Sequence, residues 1–107
     1  MAETVIVQSQ ELEQLIQKKL SAAGLTATQA QIVAEHLVFA DASGIHSHGA
    51  VRVDYYAERI AKGGMNTDPD ITFEETGPRS GIVHGQNGPG QVVVLEATNY
   101  SIKLAKK

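Results

Sequence analysis

Cysteine is absent from the 107 residues, so disulfides and thiol chemistry are excluded. Positive charge is scarce: 9 lysines and arginines stand against 12 aspartates and glutamates, for a net charge of −3. That balance argues against nucleic acid as a partner, which would need a basic patch. The only clustered lysines, Lys18-Lys19 and Lys106-Lys107, fall at expected helix ends, where cations are favourable anyway. No apolar run approaches the ~20 residues of a membrane span. Val5-Ile6-Val7 is too short for a signal peptide and has no basic region ahead of it. No membrane partner is expected, and a cytoplasmic protein is the default. Repeats, linkers and low-complexity segments are also lacking. What is present is an ordinary globular composition, 42% hydrophobic and 20% charged, in a length that suits one domain with a modest core.

The order of periodic and punctuating residues predicts an α+β fold: three helices, a small antiparallel β-hairpin and a C-terminal helix. Thr4 to Gln8 is β-branched and apolar, and reads as a short edge strand. Ser9 is expected to cap the first helix, with Glu11 and Glu13 in its first turn and Gly24 stopping it. Thr26 and Gln29 have the spacing of a capping box, opening a second helix that runs to about Ala42. On it Ala30, Val33, Ala34, Leu37 and Val38 form one stripe, while Ile32 and Phe39 lie on the other side with His36 beside them. A helix apolar on two sides is covered on two sides. His36 is therefore expected to be packed or at an interface, and a homo-oligomer, most simply a dimer, is expected to cover the second side. A third helix is placed from His48 to Gly63-Gly64. Ile71 to Glu75 and Ser80 to His84 read as the hairpin strands, with turns at Thr76–Ser80 and Gly85–Gly90. Val92 to Ala105 is long enough for a helix in spite of its valine run.

The chain is organised around Asp41-Ala-Ser-Gly-Ile-His-Ser-His-Gly-Ala-Val-Arg-Val-Asp-Tyr-Tyr56. Gly44 breaks the second helix, and Ser47 is expected to cap the third. With that helix begun at His48, the residues His48, Arg52, Tyr55 and Arg59 share one face, within roughly 60° of one another. Ala50, Val53, Ala57, Ile60 and Ala61 share the opposite, apolar face. A helix N-terminus attracts anions. Arg52 can grip a carboxylate with two parallel hydrogen bonds. The positive end of a helix disfavours a protonated His48, leaving a neutral imidazole to exchange a proton with a substrate oxygen. The set suits a small hydroxy acid or keto acid. The plainer reading, a solvated polar face with a histidine near its start, fits the same spacing.

The same stretch has the form A-D-x-x-G-I-x-S-H-G-x-x-R-x-x-x-Y and resembles the N-terminal signature of the malate/L-lactate dehydrogenase-like oxidoreductases. The run Gly44 to Gly64, GIHSHGAVRVDYYAERIAKGG, is most similar to the ureidoglycolate dehydrogenase branch of that family. Helices ending in Ala-Gly-Leu and Ala-Asp-Ala, and later Glu-Thr-Gly-Pro and Gly-Gln, extend the likeness along most of the chain. The resemblance implies NAD- or NADP-dependent oxidation of a small 2-hydroxy acid, or the reverse reduction. Ureidoglycolate (to oxalurate) is the first choice of substrate, and malate or lactate the next. It implies His48 as acid/base or hydroxyl-orienting group, Arg52 as carboxylate anchor and Ser47 as a hydrogen-bond donor at the site. Family members are much longer, with their nicotinamide-binding segments and a second histidine beyond the matched region. The 107 residues are therefore expected to be a single N-terminal domain or fragment that lacks the nucleotide-binding part and is inactive alone. The competing reading is a catalytically silent module that only contacts a partner subunit.

Two decoys are set aside. Gly88-Pro89-Gly90 precedes a helix, but a dinucleotide fingerprint would need a third glycine where Val93 stands. A tight turn is expected there instead. His46-Ser47-His48, even with His84, matches no standard zinc spacing, and no metal is expected. Asp41, at the end of the second helix, is placed to orient a histidine.

Overall fold

The computed structural model describes residues 4–107. Its elements are helices α1 (Ser9–Ala23), α2 (Ala27–Ala42) and α3 (Val53–Ala61), strands β1 (Thr72–Gly77) and β2 (Ser80–His84), and helix α4 (Gly90–Ala105). Two 3₁₀ turns, His46–His48 and Ala50–Arg52, join α2 to α3. This is the expected α+β arrangement.

Helix α2 is the centre of the packing. Its stripe Ala30, Val33, Ala34, Leu37 and Val38 is buried against Ile16 and Leu20 of α1, Val53 and Ile60 of α3, and Val92 of α4. Each large side chain so covered contributes roughly 1.5–3 kcal/mol. The capping box forms: Thr26 Oγ1 accepts from the Gln29 amide at 3.2 Å, and Gln29 Oε1 accepts from the Thr26 amide at 3.0 Å. Gln29 Nε2 also donates to the Thr67 carbonyl at 3.0 Å, tying the start of α2 to the loop after α3. Gly24 closes α1 at φ 135°, a conformation that favours glycine, and a Cβ there would sit 3.2 Å from Ile60. A Lys19–Asp54 ion pair links α1 to α3 at the surface.

The hairpin pairs Phe73 with Val83 and Glu74 with Ile82, with an irregularity between Glu75 and Gly77. It docks on α4 through the Phe73 and Tyr100 rings, 4.7 Å apart. Tyr100 crowds Gly81, where a Cβ would meet the edge atoms Cε2 and OH of the ring. Both strands remain largely exposed, because only α4 covers them. They are less buried than the alternation in the sequence suggests.

Three local expectations change. Residues 4–8 form no strand: the sheet consists of β1 and β2 alone, so no neighbouring edge offers this segment a ladder of hydrogen bonds. Ser9 is not the cap of α1. Gln8 holds that position with extended backbone, and no side chain caps it. His36 is exposed rather than packed, its Nδ1 lying 2.7 Å from the Ile32 carbonyl one turn back.

Candidate active site

The stretch from Asp41 to Arg52 folds as a clipped loop. Helix α2 ends when Ile45 donates to the Ala40 carbonyl at 2.8 Å and Gly44 turns the chain at φ 79°. One 3₁₀ turn follows, then Gly49 with extended backbone at φ −100° and ψ −145°, then the second 3₁₀ turn. The extended Gly49 keeps the two turns from merging into one helix.

Asp41 makes the clip. Its Oδ2 accepts from the Ala50 amide at 2.8 Å, and its Oδ1 accepts from His46 Nδ1, also at 2.8 Å. A Cβ on Gly49 would overlap the Asp41 carboxyl, so position 49 has to be glycine for this clip to close. Partial burial pushes the Asp41 carboxyl upward, but the Ala50 amide, the His46 hydrogen bond and the His46 charge outweigh it and hold the group below its ordinary value. An ionised carboxylate can only accept, so the proton on this edge of His46 sits on Nδ1.

Two further bonds organise the rest of the loop. Ser47 Oγ lies 2.9 Å from His48 Nδ1, and Arg52 Nε donates to the Ser47 carbonyl at 2.8 Å. Ser47, His48 and Arg52 are thus brought onto one exposed loop. With its Nε spent on Ser47, Arg52 keeps the Nη edge of its guanidinium for a ligand, and the end-on edge is itself a two-donor fork.

The route to that juxtaposition differs from the sequence expectation. Helix α3 begins at Val53, not His48, and its N-cap is Arg52, with no side-chain cap. Ser47 bonds His48 instead of capping a helix. His48 stands in a separate 3₁₀ turn and not, as the spacing predicts, in the first turn of α3. Tyr55 and Arg59 do share the exposed side of α3, but Arg59 Nε turns to the Gly64 carbonyl at 3.1 Å. The apolar side holds for Val53 and Ile60, which are buried, and for Ala50 and Ala57, which are half-buried, while Ala61 is exposed. The His46–Asp41 pair is a further part of the loop that spacing did not resolve. The sequence leads one to expect that Asp41 orients a histidine, but only the fold decides between His46 and His48.

Beside His46, residues Val5, Ile6 and Val7 line an open cleft of about 580 Å³ with Leu12, Val38 and Asp41. His84 lies on the hairpin, 3.9 Å from Glu74. Among the described residues no three histidine, aspartate or glutamate side chains gather as metal ligands. At Gly88 the amide donates to the Gly85 carbonyl at 2.9 Å, and Pro69 fills the space a Cβ would occupy. The Gly88-Pro89-Gly90 segment is a packed turn, with one of its amides already spent. No helix of the described residues is long and apolar enough to cross a membrane.

A family model described as malate/L-lactate dehydrogenase matches residues 7–107. The chain is 56% identical over 96 residues to ureidoglycolate dehydrogenase (NAD(+)) of Escherichia coli strain K12, covering 90% of this chain and 28% of that protein. Its fold superposes with a TM-score of 0.90 on malate dehydrogenase from Pyrococcus horikoshii OT3, at 36% identity, covering 95% of this chain and 29% of that one. Sulfolactate dehydrogenase from Methanocaldococcus jannaschii follows at a TM-score of 0.88 and 33% identity, with 96% and 30% covered. The chain spans under a third of the length of the relatives it matches.

Proposed function

The chain belongs to the malate/L-lactate dehydrogenase family, and from that premise we propose that it is the N-terminal part of a nicotinamide-dependent oxidoreductase acting on a small 2-hydroxy acid. Ureidoglycolate, oxidised to oxalurate, is the first substrate, because the ureidoglycolate dehydrogenase likeness extends over 90% of the chain. Malate and lactate follow. A nicotinamide cofactor, NAD or NADP, would supply the hydride acceptor for the oxidation. In this reading it would be held mainly by segments outside the matched residues.

What these residues supply is substrate handling. The Nη edge of Arg52 receives the substrate carboxylate. Holding Nε on the Ser47 carbonyl fixes the plane of the fork before substrate arrives, which lowers the ordering cost of binding. His48 Nε2, on the ring edge away from Ser47, takes or orients the substrate hydroxyl. When the carbon bearing that hydroxyl is oxidised to a carbonyl, the hydroxyl proton has to pass to a base. Ser47 sets the rotation of the His48 ring through its hydroxyl.

The observation that carries this reading is the Arg52–Ser47–His48 chain of bonds on one exposed loop. The test is a substrate panel on a protein extended to the length of its relatives. Ureidoglycolate, malate and lactate are offered with NAD and with NADP, and nicotinamide reduction is followed. Turnover of at least one 2-hydroxy acid is expected, with ureidoglycolate preferred. No turnover of any of the three with either cofactor would overturn the proposal.

A further inference from the structure

We propose that Asp41 is the positioning residue of the loop: one carboxylate oxygen sets the course of residues 46–50 through the Ala50 amide, and the other fixes His46 with its proton on Nδ1 and a bare Nε2. His46 thereby becomes a second proton acceptor on the loop, beside His48.

Three independent features of the loop converge on the carboxyl. It bonds Ala50 and His46 at 2.8 Å each. Glycine at 49 is what leaves room for it. It stands only 21% exposed, while the His46 side chain is 76% exposed. Asp41 is thus anchored in the protein and holds an imidazole that reaches into water. A carboxylate cannot donate, so a neutral His46 bonded to it must carry its proton on Nδ1 and leave Nε2 as a lone-pair acceptor. Among the described residues nothing bonds that Nε2. An unconstrained imidazole prefers the opposite tautomer, with the proton on Nε2, so Asp41 reverses the preference. An acceptor on the same loop as a guanidinium suits a ligand that carries both an anion and a donor, as a 2-hydroxy acid does. That use of the bare nitrogen rests on the proposed function. The tautomer itself does not.

The test is long-range ¹H–¹⁵N NMR on the 107-residue chain at about pH 8.5, where ordinary imidazoles are neutral. His46 is expected with a protonated Nδ1 and a pyridine-like Nε2. In Asp41→Asn the amide oxygen still serves Ala50, but its NH₂ then faces His46 Nδ1, so the tautomer should invert while His48 is unchanged. In Asp41→Ala, exchange of the Ala50 amide should speed up about tenfold or more over wild type. A wild-type His46 protonated on Nε2, or a tautomer that Asp41→Asn leaves in place, would overturn the proposal. So would an Ala50 amide equally protected in wild type and Asp41→Ala. If a variant does not fold, the wild-type tautomer alone decides. Substrate enters neither measurement. A failed dehydrogenase assay would leave the tautomer standing, and a failed tautomer test would leave the roles of Arg52 and His48 untouched.

Discussion

Asp41 holds its loop most strongly while it is ionised, and its carboxyl is held below the ordinary value. A lowered folded value means a contribution that is fully present above the unfolded value of about 3.9 and is lost as pH falls through the folded one. Wild type should therefore exceed Asp41→Asn in stability at neutral pH by about 1–2 kcal/mol, toward the lower end for a hydrogen bond to a charged group. The gap should close below about pH 4. Thermal melts of both proteins across that range check this, and a gap that persists unchanged into strong acid would contradict it. The sequence identified Asp41 as a residue that orients a histidine. Choosing His46 required the reversal at Gly44 and the extended Gly49, which no local spacing encodes.

Among the elements, α2 was the most legible and the start of α3 the least. The stripe of α2 and its capping box are both local, and both formed at the expected residues. Replacing Thr26 by Ala should cost about 1 kcal/mol. In a domain of this size that lowers Tm by roughly 4–8 °C. Gln29→Ala should cost at least as much, since Gln29 serves the cap and also holds the Thr67 carbonyl. An unchanged Tm in both variants would mean the cap is not stabilising. The α3 boundary lies later than expected because helical periodicity continues from His48 through Arg52, whereas the backbone is set there by a tertiary contact, the Asp41–Ala50 bond. The apolar run at residues 4–8 departs from expectation in the opposite way. Its residues favour a strand, but strand formation needs a partner edge, and that is not a property of the segment itself.

At the scale of the whole molecule, apolar surface remains uncovered. Phe39 is 73% and Val94 62% exposed, and Ile102 and Leu15 are also open. Covering each is worth roughly 1.5–3 kcal/mol, against a domain stability of ~5–15 kcal/mol. Of the two residues expected on the second side of α2, Ile32 is half-buried against the core, while Phe39 stays largely uncovered among the described residues. Self-association as a two-fold dimer is the expected relief. Sedimentation at tens of micromolar should show a dimer, and a single monomer with a concentration-independent melt would contradict this. The proposed reception of a hydroxy-acid carboxylate by the α2–α3 loop is tested most directly by kcat/KM for Arg52→Lys in the protein extended to the length of its relatives. Lysine cannot reproduce the two-donor fork. A loss on the order of 1–3 kcal/mol, about fivefold to 150-fold, is expected, with Tm little changed because Arg52 and its bond to Ser47 are exposed. An undiminished kcat/KM for the hydroxy acid would contradict it.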